Sequence, residues 1–134
     1  MKQLLFLILI CLAPCCLKAQ DSTLGKTKDQ IRAMVKPYPA IKLAPGDNAD
    51  TLTMQGGLKT IVFYKNNVCY SSESILPLKL MDLATQKMTK DGYKKVKDNT
   101  WISPSGVIKV EITVDQKNNL FYTQTTRADG GGSK

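Results

Sequence analysis

Residues 107–115 (VIKVEITVD) alternate without a fault, with Ile108, Val110, Ile112 and Val114 on one side and Lys109, Glu111, Thr113 and Asp115 on the other. A period of two predicts a strand with one buried and one wet face. The second strong strand pattern is residues 58–72 (LKTIVFYKNNVCYSS), where a run from Ile61 to Tyr64 and a run from Val68 to Tyr70 flank Asn66-Asn67. Asparagine tolerates the left-handed backbone that a two-residue hairpin turn requires, so the stretch predicts two antiparallel strands pairing Tyr64 with Cys69 and Phe63 with Tyr70. Leu58, Val62, Tyr64 and Cys69 then share one face, and Ile61, Phe63 and Tyr70 the other. Both faces are apolar, which predicts a hairpin inside a sheet or one whose second face is covered.

Two segments carry a helical period. Thr27-Lys28-Asp29-Gln30 is a capping box, followed by Ile31, Met34 and Val35 at helical spacing and stopped by Pro37. From Pro77, a residue suited to a first helical turn, Leu76, Leu80, Leu83, Ala84 and Met88 line one face up to a stop at Gly92. The expected core joins Ile108, Val110, Ile112 and Val114 to Leu80, Leu83 and Met34. Between the helices, residues 44–49 make a turn, residues 51–54 a short strand, and Ser72-Glu73-Ser74 a break in the sheet. Beyond the second helix, residues 93–97 and 100–102 pair around Asp98-Asn99, and Asn118-Asn119 turns the chain into Leu120, Phe121 and Tyr122.

Lys65-Asn66-Asn67 recurs as Lys117-Asn118-Asn119, 52 residues later. Either a duplicated unit of helix, short strand, long strand and strand or a coincidence of common turn residues accounts for it. In both cases the order of helix, strands, helix, strands predicts an α+β domain with an antiparallel sheet and two helices.

The chain of 134 residues allows one domain. Met1-Lys2, the apolar run of residues 4–13 and Ala19-Gln20 have the layout of a cleaved signal peptide, which divides the chain into a leader (1–19), a domain (20–127) and a flexible tail (128–134). The apolar run is too short to span a bilayer, and no transmembrane span is expected in the mature chain. The expected location is periplasmic or extracellular. Lipidation at Cys15 or Cys16 is the weaker alternative, because Pro14 stands where a small residue is wanted beside the cleaved bond. Cys69 is left as the single cysteine of the domain, a core residue with no disulfide partner.

Residues 24–35 (LGKTKDQIRAMV) resemble the opening helix of the SmpA/OmlA envelope lipoproteins and of beta-lactamase inhibitor protein-like domains, matching at Gly25, Thr27, Gln30 and Ile31. Lys26 and Lys36-Pro37 depart from that pattern. The resemblance covers these twelve residues and implies a small exported domain that binds other proteins, with no catalytic residue to carry over.

The chain has no histidine, so a histidine triad, a histidine metal site and an imidazole proton shuttle are all excluded. Phosphate-loop and dinucleotide glycine patterns do not occur. Asp47 and Asp50 match no established calcium loop. No cofactor is expected. Losing Lys2 and Lys18 with the leader takes the formal charge from +8 to +6, nearly all from lysine, with Arg32 and Arg127 as the arginines. Nucleic-acid recognition, which favours arginine and interleaved aromatics, is not expected. The sequence thus predicts a non-enzymatic module that binds another protein or itself, with Val62, Phe63 and Tyr64 of the hairpin as candidate contact residues. One alternative is binding of a polyanion or anionic lipid surface through Lys87, Lys90, Lys94, Lys95 and Lys97. A small enzyme with an unrecognised site is the other.

Overall fold

The computed structural model describes residues 23–129. The expected leader, Cys15 and Cys16, and the last five residues of the tail lie outside the described residues. The first helix, α1 (Lys28–Val35), forms where the capping box places it. The Gln30 amide donates to Thr27 Oγ1 at 3.3 Å and the Thr27 amide donates to Gln30 Oε1 at 2.9 Å. Eight strands follow in two runs of four: β1 (Lys42–Ala44), β2 (Ala49–Thr53), β3 (Lys59–Lys65) and β4 (Val68–Pro77), then β5 (Lys94–Lys97), β6 (Thr100–Ile102), β7 (Ile108–Asp115) and β8 (Leu120–Arg127). A 3₁₀ turn (Leu78–Leu80) and the second helix, α2 (Met81–Lys90), separate the runs. All eight strands form one antiparallel sheet in the order β1-β2-β3-β4-β8-β7-β6-β5, so the last strands of the two runs pair at its centre. The fold is α+β, with the sheet dominant. No described helix is long and apolar enough to cross a membrane.

The opening hairpin forms inside the sheet, β3 lying between β2 and β4. Asn66 and Asn67 both take the left-handed backbone, at φ 50° and 64°, and close a two-residue turn between Lys65 and Val68. Tyr64 pairs with Cys69 as expected, but Phe63 pairs with Ser71. Tyr70 is the extra residue of a β-bulge, which sets its ring beside that of Phe63, with centroids 6.5 Å apart. The chain before α1 is tied to the same place: the Cys69 amide donates to the Lys26 carbonyl at 2.8 Å, and the Gly25 amide to the Cys69 carbonyl at 2.9 Å. This segment occupies the edge of β4 that β8 does not reach.

Several expectations are corrected. Ser72-Glu73-Ser74 does not break the sheet, because β4 is paired on both sides through it and the two serines are buried. Pairing and burial override the weak strand propensity of serine. Pro77 ends β4, so α2 starts four residues later than the proline predicts, with Met81, Ala84 and Met88 as its inner stripe. Leu83, about 100° around the helix from Ala84, is exposed. Met34 is exposed as well, since α1 turns Ile31 and Val35 inward. Finally, residues 42–44, for which no strand is predicted, form the edge strand β1, and the turn at residues 116–119 is a four-residue connection in which Asn119 is left-handed.

Both described helices lie on one side of the sheet. Ile31 of α1 packs with Leu52, Val62, Tyr64 and Cys69, while Met88 of α2 packs with Leu58, Leu76, Val110, Ile112 and Phe121. Between these clusters run the buried hydroxyl residues Thr60, Ser72, Ser74, Thr123 and Thr125, with Thr60 and Ser74 hydrogen-bonded at 2.8 Å. Truncating Ile112 to alanine is expected to cost roughly 2–5 kcal/mol. Glu111→Ala, on the opposite side of β7, should stay within about 0.5 kcal/mol. Urea unfolding followed by fluorescence of Trp101, which packs against the same cluster as Ile112, checks both; equal losses would mean that the faces of β7 are assigned wrongly.

Candidate functional site

With both helices on one side, the register defines what the other side of the sheet carries, because residues paired across antiparallel strands point the same way. The middle row runs Thr51, Ile61, Glu73, Gln124, Glu111 and Thr100 across six strands. One flanking row brings Lys42, Thr53, Lys59, Ile75, Tyr122 and Thr113 together, and the other brings Phe63, Ser71, Thr126, Lys109, Ile102 and Lys94. The two described helices and the residues clustered with them all lie on the other side, and none of these rows belongs to their clusters. Ile61, Phe63, Ile75 and Tyr122 are half-buried there by their neighbours alone, and Tyr70 is 44% exposed. Lys109 and Glu111 are ion-paired at 3.0 Å. Glu73, half-buried at the centre, has no ion-pair partner among the described residues.

The candidate contact residues separate across the sheet. Val62 is fully buried and Tyr64 is 5% exposed, both under α1, so neither reaches a partner. The alternation of β3 turns these two inward and Phe63 outward. Phe63 therefore stays on the open face, with Ile61 and Tyr70 of the set read as its companions. The sequence reading missed Ile75, Tyr122 and Glu73; a signal for Ile75 was its place two residues beyond Glu73 on a strand read as broken.

The lysines also separate. Lys87 is held by Asp91 at the end of α2, and Lys95 lies within 3.8 Å of Asp98. Lys94 and Lys97 pair with Ile102 and Thr100 on the open face, whereas Lys95 pairs with Trp101 of the helix side, across a bulge at Val96. Lys90 stands exposed on the last turn of α2. The five do not form one patch.

Beneath α1 lies a buried charged network. The Asp50 carboxylate, fully buried, accepts from Arg32 Nε at 2.9 Å and Nη2 at 2.8 Å, from the Tyr64 hydroxyl at 2.9 Å and from the Gly46 amide at 3.0 Å. Burial works against its charged form, but the bonds from Arg32, Gly46 and Tyr64 outweigh this and hold its carboxyl below the ordinary value. Burial, and then the bond to Asp50, push the Tyr64 phenol well up, and the Arg32 guanidinium is raised by its bond to Asp50. Gly46 has to be glycine, since a Cβ there would collide with the Ala49 carbonyl oxygen. The contacts fasten α1, the residue 45–48 loop and the Tyr64 side chain of β3 to β2, and both carboxylate oxygens are engaged by them. Cys69 is buried, its thiol pushed up by that burial, and behaves as a small apolar residue.

Comparison with protein-family models, with curated proteins and with solved structures gives no match.

Proposed function

We propose that this protein is a small exported, non-catalytic module that binds another protein through the open face of its sheet. One observation carries the reading: eight strands are covered by helices on one side, and the uncovered side presents Phe63, Tyr70, Tyr122, Ile61 and Ile75 within a polar surround. An aromatic centre with a polar rim is the anatomy of a protein-binding patch. The leader-like residues 1–19 support export to the periplasm or beyond, and the likeness of residues 24–35 to envelope binding domains points the same way. The order of a helix and four strands, occurring twice, and the 52-residue recurrence of Lys-Asn-Asn support reading the chain as a duplicated unit, with the face assembled from both copies.

Phe63→Ala and Tyr122→Ala test the reading. Both side chains leave the helix-side clusters untouched, so the variants should unfold within about 1 kcal/mol of wild type, as half-exposed positions do. Each should weaken capture of the partner by roughly thirtyfold, the loss typical of a central aromatic contact. Capture by crosslinking in the native compartment, unchanged in both variants, would refute the open face as the site.

A further inference from the structure

The open face has a charge pattern of its own. Lys42 and Lys59 stand toward the β1 edge and Lys94 and Lys97 toward the β5 edge, none within ion-pair distance of a described carboxylate. Glu111 is neutralised by Lys109, which leaves Glu73 as the uncompensated carboxylate of the middle row, flanked by Ile61, Ile75 and Gln124. A carboxylate shielded by apolar neighbours interacts more strongly with an arriving cation than a rim charge does, because less water screens it.

We infer that the face takes a protein surface of the inverse pattern, with an arginine or lysine seated on Glu73 between apolar side chains and carboxylates meeting the lysines at the two edges. This rests on the open-face reading above and adds the chemistry of the partner. A second copy of the chain does not fit, since packing face to face sets Glu73 near Glu73 and lysine edges against lysine edges. An anionic membrane or a polyanion meets the lysines but is repelled by Glu73 at the centre.

The test is selection of a displayed random peptide library on the exported protein, with the winners measured against wild type, Glu73→Gln, Phe63→Ala and Tyr122→Ala. Enriched peptides should carry a basic residue among apolar ones, with acidic residues toward their ends. Glu73→Gln should bind them about tenfold more weakly, in line with loss of a partly desolvated charge pair. Circular dichroism and Trp101 fluorescence should show Glu73→Gln folded as wild type. Peptides lacking a basic residue, peptides that bind Glu73→Gln as well as wild type, or a selection that enriches nothing would overturn the inference. If such peptides still lose binding in Phe63→Ala, the open-face reading survives. If they bind Phe63→Ala and Tyr122→Ala normally, that reading falls too. Vesicles of phosphatidylglycerol supply the competing outcome: binding to them that strengthens in Glu73→Gln and vanishes in salt would make the face a polyanion surface and overturn the inference. A dimer seen in sedimentation and broken by Phe63→Ala would overturn it in favour of a second copy.

Discussion

Asp50→Ala is expected to cost about 3–5 kcal/mol of folding stability, the range for removing one partner of a buried ion pair. The carboxylate is fully buried and receives four hydrogen bonds, so its loss strands the Tyr64 hydroxyl and releases Arg32 from β2. Tyr64→Phe, which removes one of those bonds and leaves the ion pair, should cost a smaller ~1–3 kcal/mol. Folding lowers the pKa of Asp50. Its contribution is therefore complete above the unfolded value of about 4 and is lost as the pH falls through the lower folded value. Urea midpoints measured at pH 7 and again below pH 3 should show the gap between wild type and Asp50→Ala closing in acid. A gap of the same size at both would mean that the charge of Asp50 contributes nothing. The damage should fall first on α1 and β1–β3, since Asp50 is bonded to Arg32 of α1 and to Tyr64 of the cluster beneath it, and the hydroxyl residues separate that cluster from the other.

The other large effect is expected at Phe121→Ala, about 3–5 kcal/mol. Phe121 is fully buried on β8, paired with Leu76 of β4 on one side and Val114 of β7 on the other, and it packs in the cluster that α2 covers. Among the described residues it is the largest fully buried side chain. Phe121→Leu keeps most of that volume and should lose only about 1.5 kcal/mol or less. Trp101 fluorescence through a urea titration resolves both, and a loss under about 1 kcal/mol for the alanine variant would show that the cluster closes over the cavity.

Those two residues also mark what the sequence could and could not reveal. The alternation of residues 108–114 and the Asn66-Asn67 turn were legible because their causes are local: a period of two, and a side chain that tolerates positive φ. The same period grouped Leu58, Val62, Tyr64 and Cys69 on one face of the hairpin but not which way that face turns, so Val62 and Tyr64 were read as contacts although they point inward. The bulge at Tyr70 did not, since nothing in the residues says which strand holds one extra. Ser72 to Ser74 read as a break because their strand character comes from neighbours on both sides, far away in sequence. Met34 and Leu83 show that helical spacing gives a stripe but not its phase against the sheet. The Asp50 network joins groups 18 residues apart and has no local motif. Its one trace was an acidic residue in phase with Leu52, at a position that alternation assigns to the core. The open face was half legible: apolar residues on both sides of the hairpin required a second cover, and only the fold showed that the described helices do not provide it.

The two ends of the sheet have a consequence for the protein in bulk. An open sheet presents unpaired backbone donors and acceptors along both outer strands, a template on which other chains could stack into fibres. Here one outer strand, β1, is three residues long, and the other, β5, is Lys-Lys-Val-Lys with a bulge at Val96. A short strand offers too few bonds to recruit a neighbour, and a bulged one offers them out of register. Clustered ammonium groups add repulsion between like edges. The lysine content that looked like a polyanion signature in the sequence thus has a second physical use, as a guard against polymerisation in a sheet whose described strands do not close on themselves.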